Sequence, residues 1–287
     1  MTLRLVVGAA TDNGRVRDHN EDGYLVVPDL GLVAVADGMG GHRGGEVASK
    51  TALEVLQSVF TADHDLKAAV VAANDAVFER STEDEEVRGM GTTMTAGVLA
   101  DDGETLVIAH VGDSRGYLYR DGQLSRVTTD HSLVEELLHA GELTEEQALH
   151  DPRRSMITRA VGLEQGVEVD LYPVALQRGD RLVLCSDGLT DMVAEDDIAA
   201  AVGAENDPEK AAHRLIEAAN DAGGVDNITA VIVEVVDVAD DEVLEAVAVD
   251  VDDRDLDEDE PDGGADDAEP LDDPPKKRRR RFGIFRR

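Results

Sequence analysis

Carboxylates recur along this chain in four short groups: Arg17-Asp18-His19-Asn20-Glu21-Asp22, Asp37-Gly38-Met39-Gly40-Gly41, Ser186-Asp187-Gly188-Leu189-Thr190-Asp191 and Asp226-Asn227. Asp37 and Asp187 each follow an apolar, strand-like run, Leu32–Ala36 and Leu182–Cys185, and another run begins directly after Asp226. Strands that start and stop together deliver such residues to one edge of a sheet sandwich. Carboxylates gathered there repel one another, and a divalent cation is the natural counter-charge. The donors are all oxygen, and with one cysteine and no Cys/His cluster the set suits Mg²⁺ or Mn²⁺ better than zinc.

The stretch Gly38–Gly45 lies between a strand-like and a helix-like segment, so a dinucleotide-binding loop has to be tested. It fails on spacing: the sixth position of GxGxxG would be Arg43, where helix packing needs a small residue, and Asp37 would face a pyrophosphate with negative charge. Glycines here instead let backbone carbonyls and a substrate approach a cation closely, with Asp37 as the central ligand.

Alternating or β-branched runs predict strands at about 3–9, 23–27, 32–36, 92–99, 105–111, 115–120, 123–128, 167–175, 180–186 and 227–236, with Asp121-Gly122 as a hairpin turn. Helical periodicity occurs at about 44–60, 64–80, 132–140, 144–149, 195–202 and 207–221, the last opened by an Asp207-Pro208 cap. Adjacent strands with paired helices predict an α+β fold, two antiparallel sheets flanked by helices in a four-layer α-β-β-α sandwich. The polar, helix-bearing segment at about 130–165 reads as a mobile flap beside the acidic edge. Asp101, Asp121 and Asp180 read as turn residues, Met90, Met94 and Cys185 as apolar filler, Thr92 and Thr93 as sheet structure, and His131 as an anchor for the flap's base.

The 287 residues carry a net charge of −36, unevenly spread: −26 over 1–236, −18 over 237–275 and +8 over 276–287. So acidic a body is a poor partner for nucleic acid, whose affinity is built on Lys/Arg contacts to phosphate. It should also disfavour acidic substrates. One cysteine excludes a disulfide framework, and neither a signal peptide nor a run of eighteen apolar residues is seen, so a cytoplasmic protein is expected. From Asp237 the composition becomes Asp, Glu, Gly and Pro, which predicts a domain over 1–236 and a disordered acidic linker over 237–275. The tail 276–287 sets eight Lys/Arg beside Phe282, Ile284 and Phe285. Three readings stay open for it: an anionic membrane surface at the inner face, a clasp onto the acidic linker, and a protein-docking tag.

Together with Gly91-Thr92-Thr93, Gly112-Asp113-Ser114-Arg115, Asp130-His131-Ser132 and Ser155–Gly162, the four acidic groups resemble, in order and spacing over 1–236, the metal-dependent protein serine/threonine phosphatases (PPM, type 2C), bacterial branch. The resemblance implies hydrolysis of phosphoserine and phosphothreonine by direct attack of a water or hydroxide bridging two cations, Mn²⁺ or Mg²⁺. Asp37 then matches the bridging ligand, Asp187 and Asp226 the other carboxylates on the first metal, and the Gly38 carbonyl a ligand of the second, whose waters Glu21 and Asp22 hold. Arg17 matches the residue that grips the phosphate. Asp113 and Asp191 match ligands of a third metal, with a backbone contribution near Ser155. Met39 stands where animal members carry a histidine general acid, leaving a water at the third site or His42 as the proton source. Phosphoproteins, including eukaryotic-like Ser/Thr kinases and their substrates, are the partners implied. A binding domain of the same fold without turnover and a hydrolase of small phosphate esters are the competing functions.

Overall fold

The computed structural model describes residues 3–40 and 43–237. The chain divides into two units, Met1–Asp241 and Glu242–Arg287, and the fold described is that of the first. The expectations for the linker and the 276–287 tail, and for His42, fall outside the described residues.

Two sheets form the centre. One has the order β1 (Leu3–Asp12), β11 (Ile228–Asp237), β10 (Arg181–Cys185), β7 (Arg115–Arg120), β8 (Gln123–Arg126). The other runs β2 (Asp22–Val27), β3 (Leu32–Met39), β5 (Met94–Leu99), β6 (Thr105–Val111), β9 (Asp170–Ala175), with the two-residue β4 (Gly91–Thr92) added beside the end of β3. Every pairing is antiparallel. The helices α1 (Gly44–Asp63) and α2 (Leu66–Glu83) cover the β3 sheet, and α6 (Glu195–Ala204) and α7 (Pro208–Asp221) cover the β11 sheet. A third apolar cluster, including Val33, Val35, Leu182, Leu184, Val231 and Val233, fills the space between the sheets. This is the expected four-layer sandwich.

The layering explains the sequence pattern. Leu32–Ala36 and Ile228–Val233 are buried without interruption because each central strand has a sheet on one face and helices on the other. α2 and α7 start on Asp65 and Asp207, whose carboxylates accept the Ala68 and Glu209 N–H groups at 3.0 Å each, with Pro208 at the first helical position. Asp121 and Gly122, both at positive φ, close the β7–β8 hairpin. Met90, Met94 and Cys185 are fully buried. Asp180, read as a turn residue, does more: it is buried and grips Arg120 through two hydrogen bonds, at 2.7 and 2.5 Å.

Between β8 and β9 the chain forms the flap, with α3 (Leu133–His139) and α4 (Glu145–Leu149). Strand β8 is shorter than expected and β9 begins only at Asp170, so the connecting segment spans 127–169. Its two arms are joined at the base by the Ser132–Ile157 bridge, and the Thr92–Val161 bridge ties the second arm to β4.

Candidate metal centre

The register of β2 on β3 sets Asp22 directly opposite Asp37. Asp37 lies inside β3, which runs three residues past the apolar stretch to Met39. What extends the strand is a pair of threonines. The Thr93 N–H and the Thr92 hydroxyl donate to the Asp37 carbonyl at 2.9 and 2.8 Å, and the Asp37 N–H donates to Thr93 Oγ1 at 2.9 Å. Thr93 Oγ1 also lies 2.7 Å from Ser114 Oγ. So engaged, Thr93 leaves the ladder, which is why the expected strand 92–99 is split into β4 and β5.

Asp22 faces the other sheet. Its Oδ2 accepts hydrogen bonds from Ser186 and Thr229 at 2.7 Å each, residues at the ends of β10 and β11, while its Oδ1 is sealed from solvent without a partner. Burial pushes its carboxyl up to about 6 against the pull of those hydroxyls. Asp187 opens a one-turn helix, α5 (Asp187–Thr190), that the sequence pattern did not reveal, and Asp191 ends it through its N–H on the Asp187 carbonyl at 2.8 Å. Asp226 precedes β11 and accepts from the Asn227 N–H at 2.8 Å and from Arg17 at 2.7 Å.

These carboxylates act on one another. Burial first, then the charges of Asp22, Asp187 and Asp113, hold Asp37 well above the usual carboxylate range. Asp187 is raised in the same way by burial and by Asp113, Asp191, Asp226 and Asp22. Asp113, on the β6–β7 turn, is pushed up to about 7 by burial and then by Asp130, and its Oδ1 is a second sealed oxygen without a partner.

The loop carrying Arg17 and Glu21 is held by Asn227, a residue of the fourth group to which the sequence reading gave no task. Its Oδ1 accepts the Glu21 N–H at 2.8 Å, and its amide donates to the carbonyls of His19 and Asn13 at 2.8 and 3.1 Å. The Glu21 carbonyl in turn accepts the Gly38 N–H at 3.1 Å and Ser49 Oγ at 2.7 Å. Gly38 is required by this close approach: a Cβ there would stand 2.1 Å from the Gly45 carbonyl oxygen and 2.5 Å from that of Glu21.

A cleft of about 720 Å³ opens between flap and sandwich, lined among others by Asp113, Glu135, Ser155, Asp187 and Asp191. Arg154 of the flap reaches Asp191 at 3.2 Å. Asp130 is clamped by Arg115 at 2.8 Å and Arg126 at 3.1 Å, pairs the motif reading did not foresee. His131 is oriented away from this cluster: its Nδ1 accepts the Gly112 N–H at 3.0 Å and its Nε2 lies 3.2 Å from Asp170, so it ties the flap base to the turn that carries Asp113.

Among the described residues, no group of three or more His, Cys, Asp or Glu side chains is already disposed to hold a metal ion. Asp226 and Asp191 are turned to Arg17 and Arg154 instead. The fit of a hard cation rests on the rest of the set: acids that raise one another, two sealed carboxylate oxygens without a partner, and a backbone cradle at Gly38 that no side chain can fill. Cys185, two residues before Asp187, has its thiol pushed up to about 12 by burial and offers no thiolate to a soft metal.

A family model described as protein phosphatase 2C matches residues 13–218. The serine/threonine phosphatase stp of Listeria monocytogenes serotype 4b (strain F2365) is 42% identical over 237 residues, 78% of this chain and 93% of that protein. The serine/threonine protein phosphatase PstP of Mycobacterium tuberculosis (strain ATCC 25618 / H37Rv) is 43% identical over 246 residues, 83% of this chain but only 46% of PstP. A crystal structure of the PstP catalytic domain in complex with two manganese ions superposes with a TM-score of 0.74 at 41% identity, covering 82% of this chain and all of that one.

Proposed function

Because the chain belongs to the protein phosphatase 2C family of metal-dependent serine/threonine phosphatases, we propose that Asp37, Asp187 and Asp226 hold a first divalent cation and that Asp37 and the Gly38 carbonyl hold a second, with Glu21 and Asp22 outside it. Asp113, Asp191 and the backbone at Ser155 would serve a third. The reading rests above all on the sealed, partnerless oxygens of Asp22 and Asp113 among mutually repelling acids. Bound there, Mn²⁺ or Mg²⁺ supplies an acidified water for attack on phosphorus and positive charge for the phosphoryl oxygens.

The chain's own groups do the rest. Arg17, half exposed and swung toward the acids by Asp226, offers its planar fork to the phosphate. Asn227 fixes the loop that carries it, and Thr92 and Thr93 fix the backbone of Asp37. Met39 has no proton to give a leaving alkoxide. Arg17→Lys keeps the charge and loses the fork, so kcat/KM for a phosphothreonine peptide should fall about ten- to a hundredfold; a change under twofold would remove Arg17 from this role.

Phosphate release from that peptide, measured with Mn²⁺, Mg²⁺ or EDTA, tests the whole assignment. Turnover with either metal and none with EDTA is expected, and turnover persisting after metal removal would overturn it. An aryl phosphate competing with the peptide separates a protein phosphatase from a hydrolase of small esters.

The partners we propose are phosphoproteins, including eukaryotic-like Ser/Thr kinases and their substrates, as the family resemblance implies. No helix among the described residues is long and apolar enough to cross a membrane. We place the domain in the cytoplasm, with 276–287 as a contact to an anionic leaflet, supported by its eight Lys/Arg beside two phenylalanines. Vesicles containing phosphatidylserine should float the full chain but not a chain ending at residue 275; equal flotation would remove this role.

A further inference from the structure

Large apolar side chains are exposed at six described positions, Val16, Tyr24, Met156, Leu163, Leu171 and Val225. Single exposed apolar residues mean little. Three of these six, however, adjoin a candidate site residue: Val16 precedes Arg17, Val225 precedes Asp226 and Met156 follows Ser155.

Val16 and Val225 are 66% and 47% exposed and sit on two loops that run side by side in the same direction. The Arg15 N–H donates to the Gly224 carbonyl at 2.6 Å, and two residues further on Arg17 meets Asp226 at 2.7 Å. Each valine lies between these two cross-links. Gly14 seats the loops together, since at its φ of 79° a Cβ would stand 2.2 Å from the Asp226 carbonyl oxygen. The valines are therefore held between one backbone hydrogen bond and one ion pair, and both keep a large part of their surface exposed among the described residues.

We propose that Val16 and Val225 form an apolar rim of the substrate site, one that selects phosphopeptides carrying a large aliphatic residue directly beside the phosphorylated one. The inference rests on Arg17 being the phosphate grip. A phosphate held there brings the neighbouring peptide side chain to the rim, where burial of apolar surface on both sides favours an aliphatic partner. Met156, 53% exposed on the flap, gives an unbranched and adaptable apolar surface next to Ser155, which lines the cleft.

The test compares two phosphothreonine peptides of equal length and charge, with leucine or serine on both sides of the phosphoresidue, on the wild type and on V16S/V225S. An aryl phosphate measured alongside reports on the metal centre and on folding. The wild type should favour the leucine peptide by about tenfold in kcat/KM, and the double variant by no more than about twofold, the size expected for one or two buried methyl contacts. A damaged fold would lower all three substrates together and leave the peptide ratio intact. A wild-type ratio near one, or a ratio that survives in V16S/V225S, overturns the rim while leaving the phosphatase assignment standing. Absence of metal-dependent turnover on every substrate overturns both.

Discussion

Asp187→Asn should lower phosphate release by about a thousandfold or more and, at the same time, make the metal-stripped protein harder to melt. Asparagine keeps the shape of the side chain and its place at the head of α5. What it removes is the charge on a carboxylate that burial and four neighbouring acids already hold well above its usual range. Without a cation that charge is a liability, so thermal denaturation in EDTA should show a rise of about 2–4 °C, the shift that roughly 1 kcal/mol produces in a domain of this size. With Mn²⁺ present the order should reverse, because only the wild type gains a ligand. Loss of activity together with lower stability in EDTA would make Asp187 a structural residue instead.

Metal removal should also give the protein a stability that falls as pH rises. Asp22 and Asp113 are pushed up to about 6 and about 7, and Asp37 and Asp187 well above the usual range. A carboxyl whose folded pKa exceeds its unfolded value near 4 contributes stability that is complete below pH 4 and lost as pH climbs through the folded value. His110 works the other way: burial holds it down to about 3, so it costs stability as pH falls below about 6.5. Between pH 6.5 and 8.5 that opposing contribution is nearly spent and the carboxylates are isolated. In EDTA the melting temperature should fall across this window by about 2–4 °C, the shift that roughly 1 kcal/mol produces as Asp113 completes its titration. In Mn²⁺ the profile should be nearly flat, since the cation competes with protons for the same oxygens and binds better as they leave. An EDTA profile that rises with pH would contradict the mutual repulsion of these acids.

Strands and helices were readable because hydrophobic period and burial agree along most of the chain. Leu32–Ala36 and Ile228–Val233 could only be strands covered on both faces, and Asp207-Pro208 announces α7 by cap chemistry. The candidate acids were readable as a set, from types and order. Their mutual placement was not. That Asp22 faces Asp37 is a matter of register between β2 and β3, and that Ser186 and Thr229 hold Asp22 is a contact between sheets, separated by 164 and 207 residues of chain. α5 escaped because four residues carry no period. Asn227 was visible as a residue but not as a brace, since its partners Asn13, His19 and Glu21 lie at the opposite end of the sequence. The strand break at Thr93 follows from hydrogen bonds to Asp37 that no local propensity encodes.

The first and last described strands pair along their whole length, Leu3 opposite Asp237 through Asp12 opposite Ile228. Arg17 and Glu21 are thus supplied directly after β1, while Asp226 and Asn227, which engage them, arrive more than two hundred residues later. On the ribosome, β1 has no partner, and the Arg17 loop no brace, until β11 has emerged. The site is therefore silent until β11 has been made, and synthesis must run from β1 through β11 before the domain can dephosphorylate anything. Closure between such distant segments comes late and slowly. A product that stops short of Asp226 lacks both the closing strand and the Asp226–Asn227 pair, and it leaves β1 unpaired and β10 as an open edge for quality control to find.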